Sequence, residues 1–152
     1  MTSCALPEAL APKLTTIRQK VVLDATPEEV YEAYVDPSKH SAFTGSPAKG
    51  EAKEGGRFTA WDGYIFGRFV ELKKGETIVH EWLTTEWPSG YPPSLVELKL
   101  RNAGGKTELT MVHTKVPAEQ ADDYAEGWRD FYWEPLKLYF KGGSGKRTRR
   151  RR

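Results

Sequence analysis

The segment from Pro117 to Lys141 crowds seven aromatic residues into one stretch, and it limits the fold more than any other part of the chain. Tyr124, Trp128, Phe131, Pro135 and Leu138 recur at steps of four, three, four and three, which is the period of one helical face. Tyr132, Leu136, Tyr139 and Phe140 add a neighbouring stripe, so the apolar surface is wider than an ordinary amphipathic helix carries. Pro135 removes one helical hydrogen bond, which predicts a kink near it. Upstream, Thr15 to Val116 reads as short strands apart from one early helical region. A broad apolar helix that follows a run of strands must bury its face on their sheet, because no other element is left to cover it. The expected class is α+β, with a curved antiparallel sheet of about six or seven strands gripping the long C-terminal helix. Two short helices follow the first strand, and any ligand site lies between sheet and long helix.

Local signals fill in this outline. Thr15 to Leu23 is rich in β-formers and reads as the first strand. In Asp24-Ala25-Thr26-Pro27-Glu28-Glu29, Thr26 is a helix cap, Pro27 suits the first turn and Glu29 completes a capping box. A second helical turn covers Asp36 to His40 and ends before Gly45. Strands are then expected at about 48–52, 56–61, 64–72, 77–87, 94–101 and 107–115. Asp62-Gly63 is a hairpin signal, since both residues tolerate the positive φ of a tight turn. Such short links favour an antiparallel meander.

At 152 residues, with 38% hydrophobic and 29% charged residues, the chain matches one globular domain. No apolar run approaches the roughly 20 residues that cross a bilayer, and Met1 to Leu14 lacks the pattern of a secretory signal. Cys4 is the single cysteine, which rules out a disulfide within the chain and suits a cytoplasmic location. The net charge of +2 divides unevenly. Seven basic residues and no acid lie from Lys141 onward, so the expected domain, 15–141, is acidic and no nucleic-acid binder by charge. Residues 1–14 read as a loose arm and 142–152 as a disordered basic tail.

Several motifs, in order, resemble one known family. They are Ala42-Phe43-Thr44, Gly55-Gly56-Arg57-Phe58, Asp62-Gly63 through Gly67, Ile78-Val79 with Trp82, Trp87-Pro88, and Thr107-Glu108-Leu109-Thr110. Val116-Pro117 leading to Gly127-Trp128 and Tyr132-Trp133 completes the set. From about residue 15 to 141 the chain is similar to the C-terminal domain of the activator of the heat-shock chaperone ATPase, within the START-like (SRPBCC) helix-grip superfamily. The resemblance implies that fold and makes a chaperone a candidate partner. The eukaryotic activator also has a separate N-terminal domain responsible for much of its stimulation of the chaperone, and the Arg-rich end of this chain is outside the family pattern.

Strand alternation assigns the faces. Ile78, His80, Trp82 and Thr84 share one face, as do Val96, Leu98 and Leu100, and Leu109, Met111 and His113. With Tyr124, Trp128 and Phe131 from the helix, this inward set describes an apolar pocket with a few polar anchors. The pocket candidates are Phe58, His80, Trp82, Met111, His113, Tyr124, Trp128 and Phe131. His80 and His113 lack a third ligand at metal-binding spacing, so no metal is expected. Glu97 faces away from both histidines, no phosphate-binding glycine loop precedes a helix, and no catalytic residue or cofactor is assigned. Gly127 is expected to let the helix approach the sheet closely.

The leading reading is a non-enzymatic domain holding a small apolar or amphipathic molecule. A chaperone-interacting protein that uses its outer sheet surface is the alternative, and a cyclase- or hydrolase-type enzyme is a third reading. Lys146, Arg147, Arg149, Arg150, Arg151 and Arg152 could contact nucleic acid or an anionic membrane weakly through counterion release. Deleting 142–152 is expected to change thermal stability by less than about 0.5 kcal/mol, because polar surface residues contribute little. The same deletion should lower any affinity for DNA or anionic vesicles, read by calorimetry and co-sedimentation.

Overall fold

The computed structural model describes residues 12–141, so the expectations for the arm up to residue 11 and for the basic tail lie outside the described residues. Seven strands form a single antiparallel sheet: β1 Leu14–Leu23, β2 Lys49–Gly50, β3 Arg57–Ala60, β4 Ile65–Lys73, β5 Thr77–Thr84, β6 Ser94–Ala103 and β7 Lys106–Pro117. Their order is β1-β7-β6-β5-β4-β3-β2, so β2 to β7 are a meander and β1 pairs back onto β7. Two short helices, α1 Pro27–Val35 and α2 Pro37–Thr44, bridge β1 and β2. The long C-terminal helical stretch begins with a 3₁₀ turn, Ala118–Gln120, and continues as α3 Ala121–Trp128, a π-turn Arg129–Trp133 and α4 Glu134–Tyr139. This is the helix-grip architecture.

Helix α1 starts where its cap requires. The Thr26 hydroxyl accepts the Glu29 backbone N–H, and the Glu29 carboxylate accepts the Thr26 N–H at 2.9 Å. Asp36 ends α1 and caps α2, accepting from the Ser38 backbone N–H at 2.8 Å. The strand faces follow the alternation: Ile78, His80, Trp82, Val96, Leu98, Leu109, Met111 and His113 are all buried on the side that faces the helices. The strand expected at 48–52 shrinks to Lys49–Gly50, because β2 pairs with β3 over two residues only.

The helix differs from its expected form at one place. The kink attributed to Pro135 is taken up one turn earlier, where the Glu134 N–H reaches back five residues to the Arg129 carbonyl. Proline has no N–H to donate and its ring crowds the carbonyl four residues back, here that of Phe131, so a widened turn relieves both problems. The extra residue in that turn rotates everything after it. The buried stripe becomes Tyr124, Trp128, Tyr132, Leu136 and Phe140, while Phe131 and Leu138 are 54% and 71% exposed. The single face 124/128/131/135/138 is therefore corrected beyond Trp128.

This rotation has a direct test. Leu136→Ala should cost about 2–5 kcal/mol as a buried truncation, whereas Leu138→Ala should stay within about 0.5 kcal/mol. Chemical denaturation of the two variants reads the difference. A regular helix through 131 and 138 would reverse the order.

Candidate functional site

A cavity of about 650 Å³ opens between the β3–β4 hairpin, the end of β5 and the long helix. The hairpin is shaped by a tight turn in which Trp61, Asp62 and Gly63 have φ of 53°, 57° and 91°. Two non-glycine residues held at positive φ are a local cost that the packing of Trp61 must offset. The Trp61 ring meets the exposed Phe131 ring edge-on at 5.4 Å across the opening. Deeper in, Trp82 packs against Tyr124 at 4.8 Å and Trp128 at 5.9 Å, and Trp128 stacks on Trp133 at 5.3 Å.

Gly127 faces this space. A Cβ placed on it would meet only the Phe131 ring, at 3.9 Å. The expected close approach to the sheet is corrected: the missing side chain leaves room in the cavity. At the mouth, the Tyr64 hydroxyl donates to the Glu86 carboxylate at 2.6 Å, and the Gln120 amide donates to the Glu86 carbonyl at 2.9 Å. Tyr124 donates to Gln120 at 2.7 Å and accepts from Thr84 at 2.7 Å.

Of the eight pocket candidates, Trp82, Tyr124, Trp128 and Phe131 line this cavity. His80, Met111 and His113 are sealed in the core with no exposure, and Phe58 borders a separate void of about 20 Å³. Trp61, Tyr64, Ile65, Gly127 and Tyr132 also line the cavity, though none was among the pocket candidates, and Glu86, Gln120 and Asp123 form its rim. The Asp62-Gly63 turn was the available signal, because aromatic residues beside a hairpin turn are carried over whatever the sheet curves around. Among the described residues, no three His, Cys, Asp or Glu side chains are grouped to hold a metal ion.

The three histidines are bound on both ring nitrogens. His113 Nδ1 accepts the Trp128 indole N–H at 3.1 Å, so Nε2 carries the proton and donates to Ser94 at 2.8 Å. Ser94 in turn donates to the Trp82 carbonyl. His80 donates from Nδ1 to the Glu81 carbonyl and accepts the Tyr34 hydroxyl, both at 2.8 Å. His40 donates to the Tyr34 carbonyl at 2.8 Å and accepts the Tyr132 hydroxyl at 2.9 Å. These links tie the sheet to α1, α1 to α2, and α2 to the long helix.

Residues 24–141 match the family described as activator of Hsp90 ATPase homolog 1-like protein. The chain belongs to this family. It is 34% identical over 119 residues to the human activator of 90 kDa heat shock protein ATPase homolog 1, covering 78% of this chain and 35% of that protein. The Dictyostelium discoideum activator homologue is 27% identical over 133 residues, with 88% and 35% covered. The chain thus spans about a third of the length of these curated relatives. Among solved structures, an HSP90 activator from Plasmodium falciparum aligns with a TM-score of 0.75 at 23% identity, covering 81% of this chain and 94% of that one. CalU16 from Micromonospora echinospora aligns with a TM-score of 0.67 at 26% identity, covering 85% and 76%.

In this activator-family domain the buried histidines are neutral. Burial pushes His40 and His80 down to about 4 and His113 to about 3, from an ordinary 6.5. The unfolded chain therefore binds protons that the folded chain refuses. Stability is complete above about pH 6.5 and falls as the pH drops toward 4, by up to about 1.4 kcal/mol per pH unit for each histidine. Glu32 and Glu108, both held low by hydrogen bonds to basic partners, act in the same direction at lower pH. Calorimetric melting points should fall steeply between about pH 6 and pH 4, and His113→Gln should make that slope shallower.

Proposed function

We propose that this chain is a chaperone-binding domain that engages an Hsp90-type chaperone through the outer face of its sheet. The observation that carries this reading is membership of the activator family across residues 24–141. The sheet supplies a suitable surface. Its face away from the helices presents exposed Phe66 and Val70 and the partly exposed Leu83 and Val112, set among the ion pairs Arg68–Glu81, Lys99–Glu97 and Arg101–Glu108. Apolar contacts framed by charges are the usual make-up of a reversible protein interface. Among the described residues no helix is long and apolar enough to cross a membrane. The single cysteine accords with a cytoplasmic setting, where such a chaperone would be met.

A second reading is supported by the cavity. Its 650 Å³ is within the range of small-molecule sites, about 300–1,000 Å³, and its walls are mainly aromatic. In this reading the domain holds a small apolar or amphipathic molecule, with or without a chaperone on the opposite face.

Surface plasmon resonance with the full chain and purified Hsp90 from the source organism tests the first reading. Binding in the micromolar range is expected, as befits a contact at the small end of interface sizes. Phe66→Ser with Val70→Ser should weaken it at least about tenfold, the loss of roughly 1.4 kcal/mol, with the melting point retained. No binding at about 100 μM, a free energy weaker than roughly −5.5 kcal/mol, would sink the chaperone reading.

A further inference from the structure

The walls and rim of the cavity restrict its occupant more than its volume does. Three indoles, Trp61, Trp82 and Trp128, enclose it together with the Phe131 and Tyr132 rings. Aromatic faces carry negative potential, which attracts cations. At the rim sit two carboxylates, Glu86 and Asp123, both exposed, and no lysine, arginine or histidine is among the lining residues. Glu86 is held in place twice, by the Tyr64 hydroxyl on its carboxylate and by the Gln120 amide on its carbonyl.

We infer that the cavity takes a lipophilic cation: a flat apolar body ending in a protonated amine or quaternary ammonium group, with the body between the indoles and the charge at the Glu86–Asp123 rim. This rests on the ligand-holding reading of the cavity and goes beyond it by fixing the class of head group. Burial raises Tyr64 to about 12 and its hydrogen bond to Glu86 adds to the rise. Tyr124 is raised first by burial, with Glu86 and Asp123 contributing through charge. An anionic head group at the rim would meet the negative charge of Glu86 and Asp123 unfavourably.

Three matched probes separate these cases: 1-pyrenemethylamine, 1-pyrenemethanol and 1-pyreneacetate, each titrated into the full chain and followed by tryptophan-to-pyrene energy transfer. The amine should bind at least about tenfold more tightly than the acetate, with the alcohol between them, from the Coulomb energy of one cation near two surface carboxylates. Raising the salt should narrow that gap. The expected order opposes the chain's net charge of +2, so the basic C-terminal residues cannot produce it. In the Glu86→Gln, Asp123→Asn double variant the amine should lose its advantage while the alcohol binds as before. Gly127→Leu, which fills open space in the cavity, should exclude all three probes while the protein stays folded by circular dichroism. If the alcohol binds and the amine binds no better than the acetate, or if the double variant keeps the preference, the cation assignment is overturned and the cavity reading stands. If none of the three binds, both are overturned.

Discussion

Trp128 occupies the last regular turn before the long helix widens, and its indole N–H meets His113 on β7 at 3.1 Å. Much of the structure follows from that contact. It fixes the tautomer of His113, which fixes the direction of the hydrogen bond to Ser94 on β6, and the serine then caps a carbonyl of β5. One side chain from the helix thereby joins three neighbouring strands through a fully satisfied polar chain inside the core. Such a network is stable only when each donor and acceptor is matched, since a lone buried polar group costs about 1–3 kcal/mol. The helix can therefore sit on the sheet in one rotation only. The π-turn begins one residue later and turns the remaining aromatic residues to suit.

This arrangement commits the histidines to the fold. A general base needs a free ring nitrogen within reach of its substrate. His40, His80 and His113 each spend both nitrogens on the fold, and none of the three lines the large cavity. The carboxylates among the lining residues, Glu86 and Asp123, are at its mouth, while the Tyr132 hydroxyl deeper in is bound to His40.

Much of the fold was legible because its signals are local. The Thr26–Glu29 capping box, the Asp62-Gly63 turn and the alternation along β5, β6 and β7 each act within a few residues, and each appears where the sequence puts it. The helix face beyond Trp128 was not legible. Period counting assumes a regular helix, while the crowding of the Pro135 ring against the preceding turn selects a wider one, so Phe131 and Leu138 turn outward and Tyr132 and Leu136 turn in. Half of the pocket candidates failed to reach the cavity for a related reason. Alternation gives the face of a strand but not the depth along it, and His80, Met111 and His113 lie where the helices close over the sheet. The cavity forms farther along, where Gly127 leaves the helix without a side chain and the hairpin brings Trp61 across.

The two proposed surfaces share β5, which gives the domain two working faces on one strand. Trp82 points into the cavity, while its neighbours Glu81 and Leu83 are on the outer side of the sheet. A strand only one residue thick separates them, so the faces are chemically independent and mechanically close. Phe66 pairs with Leu83 on the outer side, and the next residue back, Ile65, lines the cavity. Side chains on opposite faces of a pleat do not touch, so substitutions confined to one face should act additively with those on the other. Any departure from additivity between an outer-face change such as Phe66→Ser and a cavity change such as Gly127→Leu would have to pass through the backbone of β4 and β5. The bulge between Phe69 and Glu71 lies in that same strand pair and is the place where the ladder can shift.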